Sequence, residues 1–154
     1  MIQRIQTLYF MVALIAVTLP LFFFEMLVFS GKDGGVTVDA FSDVSLSTGE
    51  ILASNYTWML QLVLIAILIL VIFLFKNRKR QMQLAWFAFG LHIISIVWIL
   101  VESNPIKQLD GHQLDSLHLG LGFYIYALAV IFILLGIQGV RKDKALIDSL
   151  NRLR

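Results

Sequence analysis

The chain has 154 residues, of which 59% are hydrophobic, 14% are charged and two are proline, and its mean hydropathy is +0.86. A soluble domain carries about a quarter charged residues, so this balance excludes an ordinary soluble domain and a disordered chain, and the length allows one domain with no separate catalytic module. Cysteine is absent, which removes disulfides, thiolate metal sites and a cysteine nucleophile, and a net charge of +2 does not by itself imply a nucleic-acid partner.

A bilayer core about 30 Å thick is crossed by roughly 20 apolar residues, which must be helical to satisfy their own backbone. Four stretches without Asp, Glu, Lys or Arg (5–24, 51–75, 81–101 and 116–140) predict spans near 7–28, 57–75, 84–101 and 119–140. The first apolar run is too long for a signal-peptide h-region, and "VFSG" (28–31) is a poor cleavage site, so an uncleaved helix is expected. Glu25 is the charged residue inside it, about three residues from its outer end. Carboxylates are costly in a membrane. The face Thr7, Met11, Leu14, Thr18, Leu21, Glu25 turns this one inward, towards Gln61 at a similar depth of the second span. A structural hydrogen bond is preferred over a proton or ligand site.

Residues 29–56 form the first outer loop. Alternation at Val36, Val38 and Phe41 and in "DVSLS" predicts a short hairpin over the helix ends. Residues 76–83, opening "KNRKR", are a tight inner loop. In the third span His92 shares a face with Ala85, Ala88, Ser95 and Glu102, a small and polar stripe that should face the bundle interior. His118 would lie roughly 13 Å away along the bundle, too far for a shared haem, so an interhelical hydrogen bond is the preferred role of His92. The second outer loop, 102–118, gathers Asp110, His112, Asp115 and His118 at a spacing that matches no closed metal site. Gly122, Tyr126, Ala129, Ile133 and Gly136 share a face of the fourth span, marking a closely packed helix. The tail, 141–154, repeats Leu146, Leu150 and Leu153 among cations, as an interfacial or docking helix does.

Charge sets an orientation. Arg4, Lys76, Arg78, Lys79, Arg80, Arg141, Lys142, Lys144, Arg152 and Arg154 fall on one side, and only Lys32 and Lys107 on the other. By the positive-inside rule both termini are cytoplasmic. The same cations, with the tail leucines, are the candidate surface for anionic lipid or a protein partner. RNA is the minor reading, because no aromatic platform interleaves them.

The start "MIQRIQTLYF", four apolar spans, a basic inner loop and the closing "RKDKALIDSLNRLR" resemble the DUF4293 family over essentially the whole chain. The resemblance implies a small inner-membrane protein of Bacteroidota, with no catalytic motif to carry over.

The expected architecture is therefore an all-α integral membrane protein: an antiparallel four-helix bundle with a small β-leaning first outer loop. The leading expectation for function is a non-catalytic accessory or scaffolding subunit, associated with the bilayer and with other membrane subunits or itself. No catalytic residue, cofactor or metal is expected. An alternative is binding or transport of a lipid or small amphiphile by Glu25, Gln61, His92 and Ser95. A third is a membrane enzyme with an outer-face site.

Overall fold

The computed structural model describes residues 2–31, 34–46, 48–102 and 116–152. Helices α1 (Ile2–Phe23), α2 (Thr57–Phe73), α3 (Arg78–Glu102) and α4 (Leu121–Arg152) carry most of the chain. All four are long and apolar enough to cross a membrane. Five strands, β1 (Leu27–Gly31), β2 (Gly34–Val38), β3 (Ser42–Ser45), β4 (Ile51–Ser54) and β5 (Ser116–Leu119), form one antiparallel sheet in the order β4-β3-β2-β1-β5.

The helices close into a ring in which α1 packs on α2 and α4, and α3 packs on α2 and α4. The α1–α4 interface is the most extensive. It is close because small residues meet there: a Cβ on Gly136 would sit 2.6 Å from the Phe10 ring, and one on Gly139 2.6 Å from Gln6 Cγ. Phe10, Ala13 and Val17 of α1, Leu64, Leu68 and Val71 of α2, Ala85 and Ala88 of α3, and Tyr126, Ala129 and Ile133 of α4 are all inaccessible to solvent. The reversal between α2 and α3 is a 3-10 turn, Leu74–Lys76, after which Asn77 Oδ1 accepts the Arg80 N–H at 3.3 Å and caps α3.

The sheet corrects the all-α expectation. The first helix ends at Phe23, not near residue 28, because Leu27–Gly31 pair with β2 on one side and β5 on the other. A short apolar run fits a buried strand as well as a helix, and hydropathy alone does not separate the two. Leu27 and Phe29, with Val36 and Val38, turn the buried side of the sheet toward the core. β5 likewise occupies 116–119, so α4 starts at residue 121. Its start is pinned by Gly120 N–H to Met26 O and Gly122 N–H to Glu25 O, each 3.0 Å. The predicted hairpin is present as β2 and β3, inside a larger sheet than expected. The predicted tail is a continuation of α4, which runs unbroken through Arg152.

The three predicted helix faces do not share one outcome. Ala85, Ala88, His92 and Ser95 are fully buried, and so is the small-residue face of α4. The predicted inward face of α1 holds only in part: Leu21 is buried and Thr7, Leu14 and Thr18 are half-buried, but Met11 is exposed, and the other buried positions are Gln6, Phe10, Ala13, Ala16, Val17 and Pro20. The glycines of α4 select this face, because they admit the Phe10 ring and the Gln6 stem where a larger neighbour would block them.

Candidate functional site

Inside the bundle, His92 and Ser95 of α3 are bonded to one residue of α4, Tyr126. His92 Nε2 lies 3.1 Å from the Tyr126 carbonyl oxygen, which only accepts, so Nε2 carries the proton and donates. Ser95 donates its hydroxyl to the His92 carbonyl at 2.7 Å. Its single hydrogen is thereby used, so the Tyr126 hydroxyl donates to Ser95 Oγ, also at 2.7 Å. The His92 and Tyr126 rings meet edge to face with centroids 4.5 Å apart. One tyrosine thus binds α3 through its backbone, its hydroxyl and its ring.

Gln61 is fully buried on α2, and neither its Oε1 nor its Nε2 has a hydrogen-bond partner among the described residues. His92 Nδ1 is in the same condition. Counted from the reversal at 74–77, Gln61 and His92 both stand roughly 20–25 Å up their helices, at one level. Glu25 is not with them. It lies beyond the end of α1, exposed, in the link to β1, which corrects its expected inward helical position.

There Glu25 joins Asp39 and Phe41 around a cavity of about 370 Å³ that also touches Pro20–Phe24. Phe41 stacks on Trp58 with centroids 6.2 Å apart. Burial pushes the Asp39 carboxyl above its ordinary pKa of 3.8. Two carboxylates beside aromatic faces make an environment suited to a cation. His118 is exposed on β5 opposite Val28. Asp110, His112 and Asp115 lie outside the described residues. Among the described residues, no group of three His, Asp or Glu side chains is placed to hold a metal ion.

The opposite end of the bundle is basic. Lys76, Lys79, Arg80, Arg141 and Lys142 are exposed, Lys144 and Arg78 are half-buried, and Leu146 is exposed. Arg4, Leu150 and Arg152 belong to helices, and Leu153 and Arg154 lie outside the described residues. Here α3 and α4 share an ion pair, Arg78 Nη2 to Asp143 Oδ2 at 3.4 Å, with Asp143 almost fully buried. Gln6 Nε2 donates to Gly139 O at 2.9 Å, tying α1 to α4, and Gln81 Nε2 donates to Val71 O at 3.0 Å, tying α3 to α2.

Gln6, Gln81 and Asp143 were not singled out from the sequence. A signal for Asp143 existed, since it follows Gly136 and Val140 at spacings of four and three and so continues the buried face of α4. Reading residues 141–154 as a separate tail hid it.

The chain matches the family described as "Domain of unknown function (DUF4293)" over residues 2–153, and it belongs to that family. No curated protein matches the chain.

Proposed function

We propose that this is a four-span protein of the bacterial inner membrane, both ends cytoplasmic, acting as a non-catalytic accessory or scaffolding subunit. The observation that carries the reading is how the interior polar groups are used. Gln6 ties α1 to α4, Gln81 ties α3 to α2, Arg78 pairs with Asp143, and His92 and Ser95 are bonded to Tyr126. Ties at several depths hold all four helices in one arrangement. A carrier requires two arrangements that interconvert, whereas a scaffold gains from being fixed. In such a frame α4 is a rod of about 48 Å, longer than a bilayer core. Its end presents Leu146 and Ile147, both exposed, on a helix held in place by the Asp143 pair.

The amphiphile-transport reading asked Glu25 and His92 to line one path. Glu25 faces a cavity at the sheet end, while His92 is enclosed among the helices. The scaffold reading is therefore preferred.

The test is purification of the full-length protein from its native membranes in mild detergent, followed by mass measurement of the intact assembly. A stoichiometric protein partner, or a defined homo-oligomer, is expected. Leu146→Glu with Ile147→Glu should release it while leaving helicity intact. A protomer that runs alone at every detergent condition would sink the subunit reading.

A further inference from the structure

The basic end holds a cavity of about 540 Å³, which shares Ile147 with the docking end of α4. Lys76 of the inner turn, Lys79 in the first turn of α3 and Lys144 of α4 line it with Arg78, and Phe75 and Ile147 supply apolar wall. These residues are far apart in sequence. They converge because α4 continues as a helix past residue 140 and passes the α2–α3 reversal. Arg78 is neutralised by Asp143. Among the described residues no ion pair to Lys76, Lys79 or Lys144 is present, and the three cations share one concavity. Like charges gathered in one concavity repel, and an anion bound between them relieves that repulsion. The wall is also formed where α3 begins, the positive end of that helix dipole, with Asn77 as its cap. The volume lies within the range of roughly 300–1,000 Å³ of small-ligand sites.

We propose that this cavity binds the phosphate group of an anionic ligand, with Lys76, Lys79 and Lys144 as its contacts. Each lysine supplies a compact charge with three donors, and a phosphate monoester or diester offers several acceptor oxygens to share among them. Phe75 and Ile147 suit a ligand with an apolar portion next to its phosphate, as a phospholipid has. A free phosphate presents the same headgroup chemistry without that portion. This inference does not rest on the scaffold reading, although Ile147 belongs to both surfaces: the site needs the reversal, the start of α3 and α4, and its lysine variants leave Leu146 and Ile147 in place.

The experiment is native mass spectrometry of the detergent-solubilised full-length protein, with phosphatidylglycerol and inorganic phosphate as separate probes and phosphatidylcholine as the reference lipid. Wild type is compared with the triple variant K76Q/K79Q/K144Q and with R80Q/R141Q/K142Q. The second triple removes the same charge from the same end without altering the cavity wall. At about fivefold per cation near an anionic surface, the cavity triple should lose more than tenfold in binding, and the second triple, whose cations belong to the same basic end, should lose at least about fivefold less. The charge-preserving K76R/K79R/K144R should stay within about twofold of wild type, which separates loss of charge from loss of fold. Selective retention of phosphatidylglycerol alone assigns the source to a lipid headgroup; retention of inorganic phosphate with the same lysine dependence assigns it to a soluble phosphate. Equal losses in both glutamine triples would mean that the whole basic end attracts anions diffusely, and would overturn the site. Binding of neither probe to wild type, or loss of binding in the arginine triple, overturns it as well.

Discussion

Gln61 has no exposed surface, and neither end of its amide is hydrogen bonded among the described residues. A buried polar group without a partner costs about 1–3 kcal/mol, and leucine fills a similar volume without that cost. Gln61→Leu is therefore expected to raise stability by about 1–3 kcal/mol, read as the thermal midpoint of the detergent-purified protein. A lower midpoint would show that the amide has a bonded partner in the membrane. Asp39 behaves differently because its cost depends on protonation. Burial raises its pKa above 3.8, so the folded chain holds the proton more tightly than the unfolded chain does. That contribution is fully present below the unfolded value and is lost as pH rises through the raised one. At neutral pH Asp39→Asn should thus melt higher than wild type, and the difference should vanish as the pH is taken below 3.8. The Asn55 amide bond to the residue 39 carbonyl, 2.8 Å, uses only backbone there and survives the change. A constant difference across that range would mean that the carboxyl is not desolvated.

At the level of elements, the glycines separate packing from flexibility. A Cβ on Gly122 would lie 2.6 Å from the Glu25 carbonyl oxygen, a backbone atom held by the hydrogen bond from Gly122 itself. Gly122→Ala should cost about 1–3 kcal/mol as an overpacked contact. Gly90, in the middle of α3, has nothing within 4 Å of the same position. Gly90→Ala should instead add about 0.5–1 kcal/mol of helix propensity. Melting curves of the two variants check the pair, and a loss at both would deny the open space beside Gly90. The same contrast explains which elements were legible. The four helices follow from apolar length, and the buried stripes of α3 and α4 follow from small and polar residues at three- and four-residue spacing. The buried side of α1 was not legible, because nearly every residue there is apolar and periodicity carries no contrast. Only its partner, the glycine face of α4, decides it. Strands β1 and β5 were missed for a related reason: each abuts an apolar helix, and pairing between residues as distant as Val28 and His118 leaves no local mark. The site suffered most from this. Glu25 was placed on a helix that ends before it, while Asp143 was left in a tail that is part of α4.

At the scale of the whole molecule, the two ends differ in kind. One is a sheet with Asp43 in a strand and Asp39 and Glu50 in its connections; the other gathers Lys76, Arg78, Lys79, Arg80, Arg141, Lys142 and Lys144 at a helix reversal and a helical extension. The even number of helices puts both chain ends on the basic side if all four cross the bilayer. The orientation proposed above, with that side cytoplasmic, follows from the positive-inside rule, since cations resist translocation whereas carboxylates contribute little. The absence of cysteine makes this directly measurable, because any thiol introduced is the only one present. Thr48→Cys lies at an exposed turn between β3 and β4, and Lys142→Cys at an exposed position of α4 on the basic side. A membrane-impermeant maleimide applied to intact cells with a permeabilised outer membrane should label the first and spare the second. Breaking the inner membrane should then expose the second to the same reagent. Labelling of Lys142→Cys in intact cells, with Thr48→Cys protected, would invert the orientation, and it would move the proposed phosphate site to the outer leaflet. Labelling of both without disruption would mean that the four helices do not seal against the bilayer.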